Sequence, residues 1–407
     1  MASIRTLLTR QSTEVVGQRP VSDGALIVGG DYRALATARS LGRRGVPVWV
    51  VADDHRIATV SRYTRHSLLW PATTDDGQVE FLLELGSRSG LEGWTIFPTG
   101  DTAAALIARH HQALQQSFRL TTAPWDVLRW AYDKRLTYRL AAETGLDYPW
   151  TTTPISLEQL ATLDCAFPAI LKPAVKEVFN SFTHAKAWRV DDRESLLRRY
   201  AEARKLIPPD AILVQELVPG SGEDQFSYAA LCDRGHPLAW VIARRLRQYP
   251  VDFGRASSFV ETVDQPEIEE PARRLLARLG YTGLIEVEFK RDPRDGRYKL
   301  LDLNPRVWGW HALARRAGVD FPYLQWCVVH GEPVSNVRAK PDVRWIRLAT
   351  DLPAAAIAMR SGQLTPRAYL QSFRAPLELA MFSIDDPLPA LLEIPLAFWA
   401  GLRRGAL

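Results

Sequence analysis

The sequence predicts a mixed fold, α/β at the N-terminus and α+β beyond it, and three stretches carry that expectation. Residues 24–54 read as strand, glycine turn, helix and strand; strands dominate from Phe167 onward; and two acid-bearing strands lie between Gly283 and Arg306. With 407 residues and 46% hydrophobic content, the chain can bury more than one core. A net charge of +5 and a pI near 9.1 favour anionic ligands, but the basic residues are scattered and no nucleic-acid-binding motif accompanies them. Cys165, Cys232 and Cys327 stand far apart with no CxxC pairing, which predicts free thiols, no zinc site and a cytoplasmic protein.

Residues 1–22 contain no apolar core long enough for a secretory signal and are expected to form a flexible arm. The first unit then opens with Ala-Leu-Ile-Val, turns at Gly29-Gly30-Asp31, runs as a helix from Tyr32 to Arg44 and returns as Val-Pro-Val-Trp-Val-Val. A second strand and helix at Thr95 to Ala113 place Asp101 at a similar turn. Ligands in open α/β sheets bind outside the carboxyl ends of strands, so Gly29, Gly30, Asp31 and Asp101 are candidate substrate contacts. A dinucleotide site is the rival reading, with Asp53 and Asp54 near a ribose, but no third glycine follows at the helix start.

A helix-rich connector follows from Trp125 to Trp150. Beyond it the expected strands are Pro-Ala-Ile-Leu-Lys-Pro, Ala-Lys-Ala-Trp-Arg-Val and Ala-Ile-Leu-Val-Gln-Glu-Leu-Val, with a helix from Arg193 to Lys205. In the run Leu300 to Arg306, alternation sets Asp302, Asn304 and Arg306 on one face and Leu301 and Leu303 on the other. Glu286 and Glu288 share a face on the preceding strand, and Asp-Pro-Arg-Asp-Gly between the two reads as a hairpin turn. Crowded carboxylates of this kind need a cation, and hard oxygen donors suit Mg²⁺ or Mn²⁺. Arg245 and Arg247 should share a face and could meet a substrate carboxylate.

Taken in order, Asp133-Lys134, Ile-Leu-Lys172-Pro, Gln-Glu216-Leu-Val-Pro-Gly with Glu223, Glu288 on a late strand, and Asp302-x-Asn304-Pro-Arg306 resemble the ATP-grasp superfamily. The likeness covers about Lys134 to Gly331 and is nearest to the bacterial carboxylate–amine ligases that include D-aspartate ligase, often labelled carbamoyl-phosphate-synthase-like. It implies a Rossmann-like domain over 23–125 and a two-lobed ATP-grasp domain over 126–335, with lobes of about 134–214 and 215–335. A helical segment over 336–407 completes that layout. It further implies that Lys134 and Lys172 contact ATP phosphates and that the backbone of Glu216, Leu217 and Val218 holds adenine. Glu223 would take the ribose; Glu288, with Glu286 as the second choice, would join Asp302 and Asn304 in holding Mg²⁺; Arg306 would stabilise the transferring phosphoryl group. Many members have Glu in place of Asp302, and the glycine-rich stretch expected after Lys172 is replaced, so Lys176, Asn180 or Ser181 would contribute side chains there.

The activity so implied joins a carboxylate to an amine through an acyl phosphate, releasing ADP and phosphate; a non-catalytic nucleotide sensor and a dinucleotide-dependent oxidoreductase are the alternatives. Substrate contacts are expected from the Gly29 and Asp101 turns and from loops near Ser257, Ser258 and Trp308. The partners expected are small carboxylates and amines, with neither nucleic acid nor a transmembrane segment. Pro389, Glu393 and Pro395 interrupt the last apolar stretch, which ends at Trp399 and Arg403-Arg404 and is expected to pack on the body or to touch a membrane or a partner.

Overall fold

The structure, a computed structural model, describes residues 23–403 except 54, 176–179, 252–255, 335 and 375, and gives no side-chain account of 256 and 397–403. The arm at 1–22, Asp54, Lys176 and Arg404 therefore lie outside the described residues, as do the side chains of Trp399 and Arg403.

Three sheets organise the chain. The first is parallel, with strands in the order β3-β2-β1-β4-β5: β1 Ala25–Val28, β2 Val48–Ala52, β3 Thr64–Leu69, β4 Thr95–Pro98 and β5 Arg119–Leu120. Helices cover both of its faces, which is why β1 reads as an unbroken apolar run. Ala25 and Ile27 enter one core with Leu35, Val50 and Phe97, while Leu26 and Val28 enter another with Leu82 and Trp94.

The second sheet is antiparallel in the order β6-β9-β7-β8, from β6 Thr151–Thr152, β7 Ala169–Pro173, β8 Trp188–Val190 and β9 Ile212–Glu216. The third has eight strands. Its main path is β14-β13-β10-β11-β12-β16-β17, with β15 beside β11. These are β10 Gln225–Asp233, β11 His236–Tyr249, β12 Ala256–Thr262, β13 Gly283–Arg291, β14 Tyr298–Asn304, β15 Val337–Arg338, β16 Arg344–Ile346 and β17 Leu377–Leu379. The α/β and α+β halves are thus both present. The core that lines one face of the first sheet continues through Val241, Trp308, Phe321 and Trp345, so the two larger sheets share buried surface.

Several local expectations change. The segment after 335 is helical, but it also lends β15, β16 and β17 to the large sheet. The last apolar stretch is one helix, Leu388–Arg403, with Pro395 inside it. Among the described residues, no helix is long and apolar enough to cross a membrane. The strand expected from Ala185 starts at Trp188, because Asn180 caps a short helix, Ser181–Ala185, and Lys186 follows it at a φ of 67°. All three cysteines are free, with Cys232 and Cys327 buried.

The C-terminal segment is fastened to the first domain by polar groups buried between them. Asp386, 1% exposed, accepts from Arg39 Nε at 2.9 Å, Ser61 Oγ at 2.7 Å and the Arg62 N–H at 2.9 Å. Asp385 beside it binds Arg43 and Tyr63. Removing one member of a buried pair leaves the other charge without a counter-ion, a cost of about 3–5 kcal/mol. Asp386→Ala should therefore lower the urea-unfolding midpoint by an amount corresponding to about 3 kcal/mol; an unchanged midpoint would show that this contact does not hold the segment.

Candidate functional site

The register of β13 against β14 builds the polar face. Glu286 stands opposite Asn304 and Glu288 opposite Asp302, and the side-chain period of two then sends all four to one side. A bulge opposite the Glu288–Phe289 step interrupts the alternation at Leu301. As a result the core takes Leu300 together with Leu303, whereas Leu301, expected beside Leu303, is only half-buried. Leu301 is useful by its backbone instead, its carbonyl accepting from the Tyr138 hydroxyl at 2.9 Å.

Asn304 is the centre of the arrangement. Its Nδ2 donates to Glu286 Oε2 at 3.0 Å and to Glu288 Oε1 at 2.7 Å, and its Oδ1 accepts from Arg306 at 3.1 Å. Trp310 Nε1 donates to the other oxygen of Glu286 at 3.2 Å. Burial and the charge of Glu288 together raise the Glu286 pKa. Glu288 moves the other way: burial opposes its ionisation, but Lys186 and Arg245 outweigh it. Asp302 pairs with Lys134 Nζ at 2.8 Å, and that carboxylate holds the lysine above its usual range against the burial that would lower it.

Lys172 is buried one residue before the end of β7, and its Nζ donates to the Tyr138 hydroxyl at 2.6 Å. Burial and the neighbouring Lys134 push its pKa down to about 7. Lys186 was not singled out in the sequence, where it reads as an ordinary strand residue. Its left-handed backbone, unusual for a residue with a Cβ, brings a half-buried ammonium under the influence of Glu288, Arg245 and Asp302. Desolvation lowers its pKa.

Arg306 turns from this face to the first domain. Its Nε donates to Asp101 Oδ1 at 2.6 Å and a terminal nitrogen reaches Oδ2 at 3.2 Å, a bidentate pair. Asp101 heads the helix Asp101–Arg109, so the β4 turn does meet the polar face. The β1 turn does not offer its backbone in the same way. Gly29 has a φ of 124° and a Cβ there would lie 2.1 Å from Thr99 Oγ1; at Gly30 it would lie 1.9 Å from the His55 carbonyl. Both glycines are demanded by packing. Asp31 caps the helix Tyr32–Gly42, accepting the Arg33 N–H at 2.9 Å and the Arg33 side chain at 2.6 Å. A pyrophosphate would need those same helix-end donors, so the turn does not suit a dinucleotide.

At the other end, Glu216 serves by its side chain as well as its backbone. It accepts from the Trp150 N–H at 3.2 Å, and from Lys299 at 2.6 Å and Arg294 at 3.1 Å, the last two of which tie β9 to the β13–β14 hairpin. The N–H groups of Glu216 and Leu217 are spent on the carbonyls of Trp150 and Pro168. That of Val218 has no backbone acceptor among the described residues. Glu223 lies exposed beyond them, its own N–H capped by Ser221.

Other expected contributors diverge. A bulge between Arg245 and Arg247 sends them apart: Arg245 bonds Ser257 and approaches Glu288 at 3.6 Å, while Arg247 forms a bidentate pair with buried Asp351. Ser258 also bonds Asp351, and Trp308 is fully buried among Trp310 and Phe321. Asn180 spends its side chain on the N–H groups of Phe182 and Thr183 and on the Leu206 carbonyl, and Ser181 is exposed.

Among the described residues, no three His, Cys, Asp or Glu side chains form a ready metal cage. The donor set still fits a hard cation. Buried Glu286 and half-buried Glu288 are carboxylates bridged by an amide whose hydrogens lie between them, and turning that amide would bring its oxygen in.

Residues 209–350 match the family model for the ATP-grasp "in the biosynthetic pathway with Ter operon". The chain is thus similar to ATP-grasp proteins over about a third of its length. It is 27% identical over 300 residues to the D-aspartate ligase of Enterococcus faecium, which covers 69% of this chain and 70% of that protein. It is 23% identical over 426 residues to the carbamoyl phosphate synthase large chain of Myxococcus xanthus, but spans only 38% of that protein's length. Among solved structures, an L-amino acid ligase from Bacillus licheniformis aligns with a TM-score of 0.57 at 17% identity over 74% of this chain and 73% of its own. The biotin carboxylase domain of Hydrogenobacter thermophilus 2-oxoglutarate carboxylase, solved with MgADP, ADP and bicarbonate, aligns at 0.63 and 15% over 79% and 73%. The likeness to these two structures is one of fold.

The depressed Lys172 gives a pH signature. Its ammonium is disfavoured in the folded chain, so its contribution to stability is present above its unfolded pKa and lost as pH falls toward about 7. An anionic phosphate beside it restores the charged form. Metal-free ATP binding at about pH 8 should then take up as much as one proton, read as binding heats that vary with the buffer's ionisation enthalpy. Heats independent of buffer, or an uptake that survives in Lys172→Met, would remove Lys172 from the phosphate site.

Proposed function

We propose that this protein is an ATP-grasp enzyme, an ATP-dependent carboxylate–amine ligase with an amino acid as one substrate. The observation that carries the reading is the meeting of Glu286, Glu288 and Asn304 with five cationic side chains, Lys134, Lys172, Lys186, Arg245 and Arg306. An excess of positive charge around hard oxygen donors suits a triphosphate carried with a divalent cation. The D-aspartate ligase and L-amino acid ligase similarities support the amino-acid class.

In this reading Lys134 leaves Asp302 and Lys172 leaves Tyr138 to bind phosphate oxygens. Val218 offers its N–H to adenine, with the Glu216 carbonyl beside it, and Glu223 takes the ribose. Glu286, Glu288, Asp302 and the turned Asn304 would hold Mg²⁺ or Mn²⁺, which when bound neutralises phosphate charge. Arg306 lies at the reacting end, where Asp101 fixes its guanidinium. A substrate carboxylate oxygen attacks the γ-phosphorus, the bond to the β–γ bridging oxygen breaks, and ADP departs. Arg306 and Lys186 offset charge on the moving phosphoryl group. The amine then attacks the acyl carbon, loses a proton and expels phosphate, leaving an amide. Positioning and charge neutralisation supply most of the catalysis in such a transfer.

The test is ADP and phosphate release from purified protein given ATP, Mg²⁺ and pools of amino acids. Release that depends on an added amino acid supports the ligase; tight ATP binding with no turnover for any pool would make the chain a sensor instead. Arg306→Ala should keep nucleotide affinity within about threefold while lowering kcat by about 100-fold or more. Unchanged kcat would remove Arg306 from the chemical step.

A further inference from the structure

Ten of the fifteen large apolar side chains exposed among the described residues fall between Leu348 and Ile394. The helix Leu388–Arg403 shows the pattern most clearly. Leu392 and Leu396 pack toward the core, whereas Leu388, Leu391 and Ile394, spaced three apart, form a second apolar stripe facing outward. Leu391 and Ile394 are 71% and 75% exposed, and Ile384 just before the helix is 90% exposed. An amphipathic helix that only packed on the body would carry polar residues there.

The surrounding segments are tied together. Arg347, at the start of the helix Leu348–Arg360, binds Glu393. Arg247 binds both Asp351 in that helix and Ser372, just after the helix Pro366–Gln371. Exposed Leu352, Ile357, Leu370 and Phe373 belong to this connected region.

Charge selects the occupant. Residues 348–394 contain five acids, and each is held by a cation: Asp351 by Arg247, Glu378 by Arg315, Asp385 by Arg43, Asp386 by Arg39 and Glu393 by Arg347. The segment's three basic residues, Arg360, Arg367 and Arg374, are exposed and have no acidic partner among the described residues. The sequence adds Arg403 and Arg404 at its end. A two-fold contact with a second copy would set these arginines together with no free acid to pair them. A surface of exposed leucine, isoleucine and phenylalanine beside unpaired arginine matches an anionic lipid headgroup layer over acyl chains.

We infer that the C-terminal segment, through the outward stripe Leu388, Leu391 and Ile394 and the exposed Arg360, Arg367 and Arg374, docks this protein peripherally on an anionic membrane surface. The inference does not rest on the proposed ligase activity, since none of these residues lies at the nucleotide end of the chain's fold.

The test is flotation of the full chain with vesicles of phosphatidylcholine alone and with about 30% phosphatidylglycerol. The expected result is about tenfold or greater partition onto the anionic vesicles, falling as salt rises from about 0.05 to 0.5 M. Leu391→Glu with Ile394→Glu should abolish it, and Arg360→Glu, Arg367→Glu and Arg374→Glu together should reduce it to the neutral-vesicle level, with circular dichroism unchanged in both variants. Three results would overturn the inference: no partition onto anionic vesicles, wild-type partition by the Leu391/Ile394 double variant, or a dimer in sedimentation velocity that this double variant dissolves. The last would assign the face to a second copy.

Discussion

Two acids two residues apart on β13, Glu286 buried and Glu288 half-buried, face the same way, and one amide keeps them together. Asn304 donates a hydrogen to each of Glu286 and Glu288 and takes one from Arg306 in return. The amide can do so only because β14 pairs with β13 in one register. A slip of one residue would turn the polar set into the hydrophobic core and set Leu303 against the lysines. The apolar members Val287, Phe289, Leu300 and Leu303 are what penalise that slip. Burial of one face thereby fixes the chemistry of the other.

From that amide, ionic contacts extend outward in two directions. Through Arg306 they reach Asp101 and the helix end of the first domain, which contributes a charge to the site without contributing a strand to its sheet. Through Lys134, Tyr138 and Lys172 they reach β7, and Glu216 adds a separate tie from β9 to the hairpin. Each domain thus meets the same polar face with charged side chains, and the excess is cationic. The acids are individually satisfied, while Lys172 and Lys186 are held below their usual ammonium range by desolvation.

The sequence made much of this legible because period-two alternation is local. Glu286, Glu288, Asp302 and Asn304 could be assigned to one face from spacing, and the order of the motifs pointed to the superfamily. What it could not disclose depends on contacts between distant segments. The bulge at Leu301 puts Leu300 into the core in its place, the one between Arg245 and Arg247 sends those two arginines to different partners, and each follows from how neighbouring strands fit together. Lys186 went unnoticed since nothing in Ala-Lys-Ala marks a left-handed lysine. That Gly29 and Gly30 are also required by packing is visible only once Thr99 and His55 are seen against them. The extended C-terminal helix escaped detection because Pro395 reads locally as a break.

The pairing of Lys134 with Asp302 and of Lys172 with Tyr138 has a consequence for the turnover cycle. In the proposed roles, a nucleotide that claims both lysines dissolves one tie between the helix Lys134–Glu143 and β14 and another between β7 and that helix, and replaces them with its own phosphates. The stiffness of that seam then belongs to the ligand while it is bound. Once ADP and phosphate leave, Asp302 and the Tyr138 hydroxyl recapture the lysines, so the chain re-forms its resting seam without any further reactant.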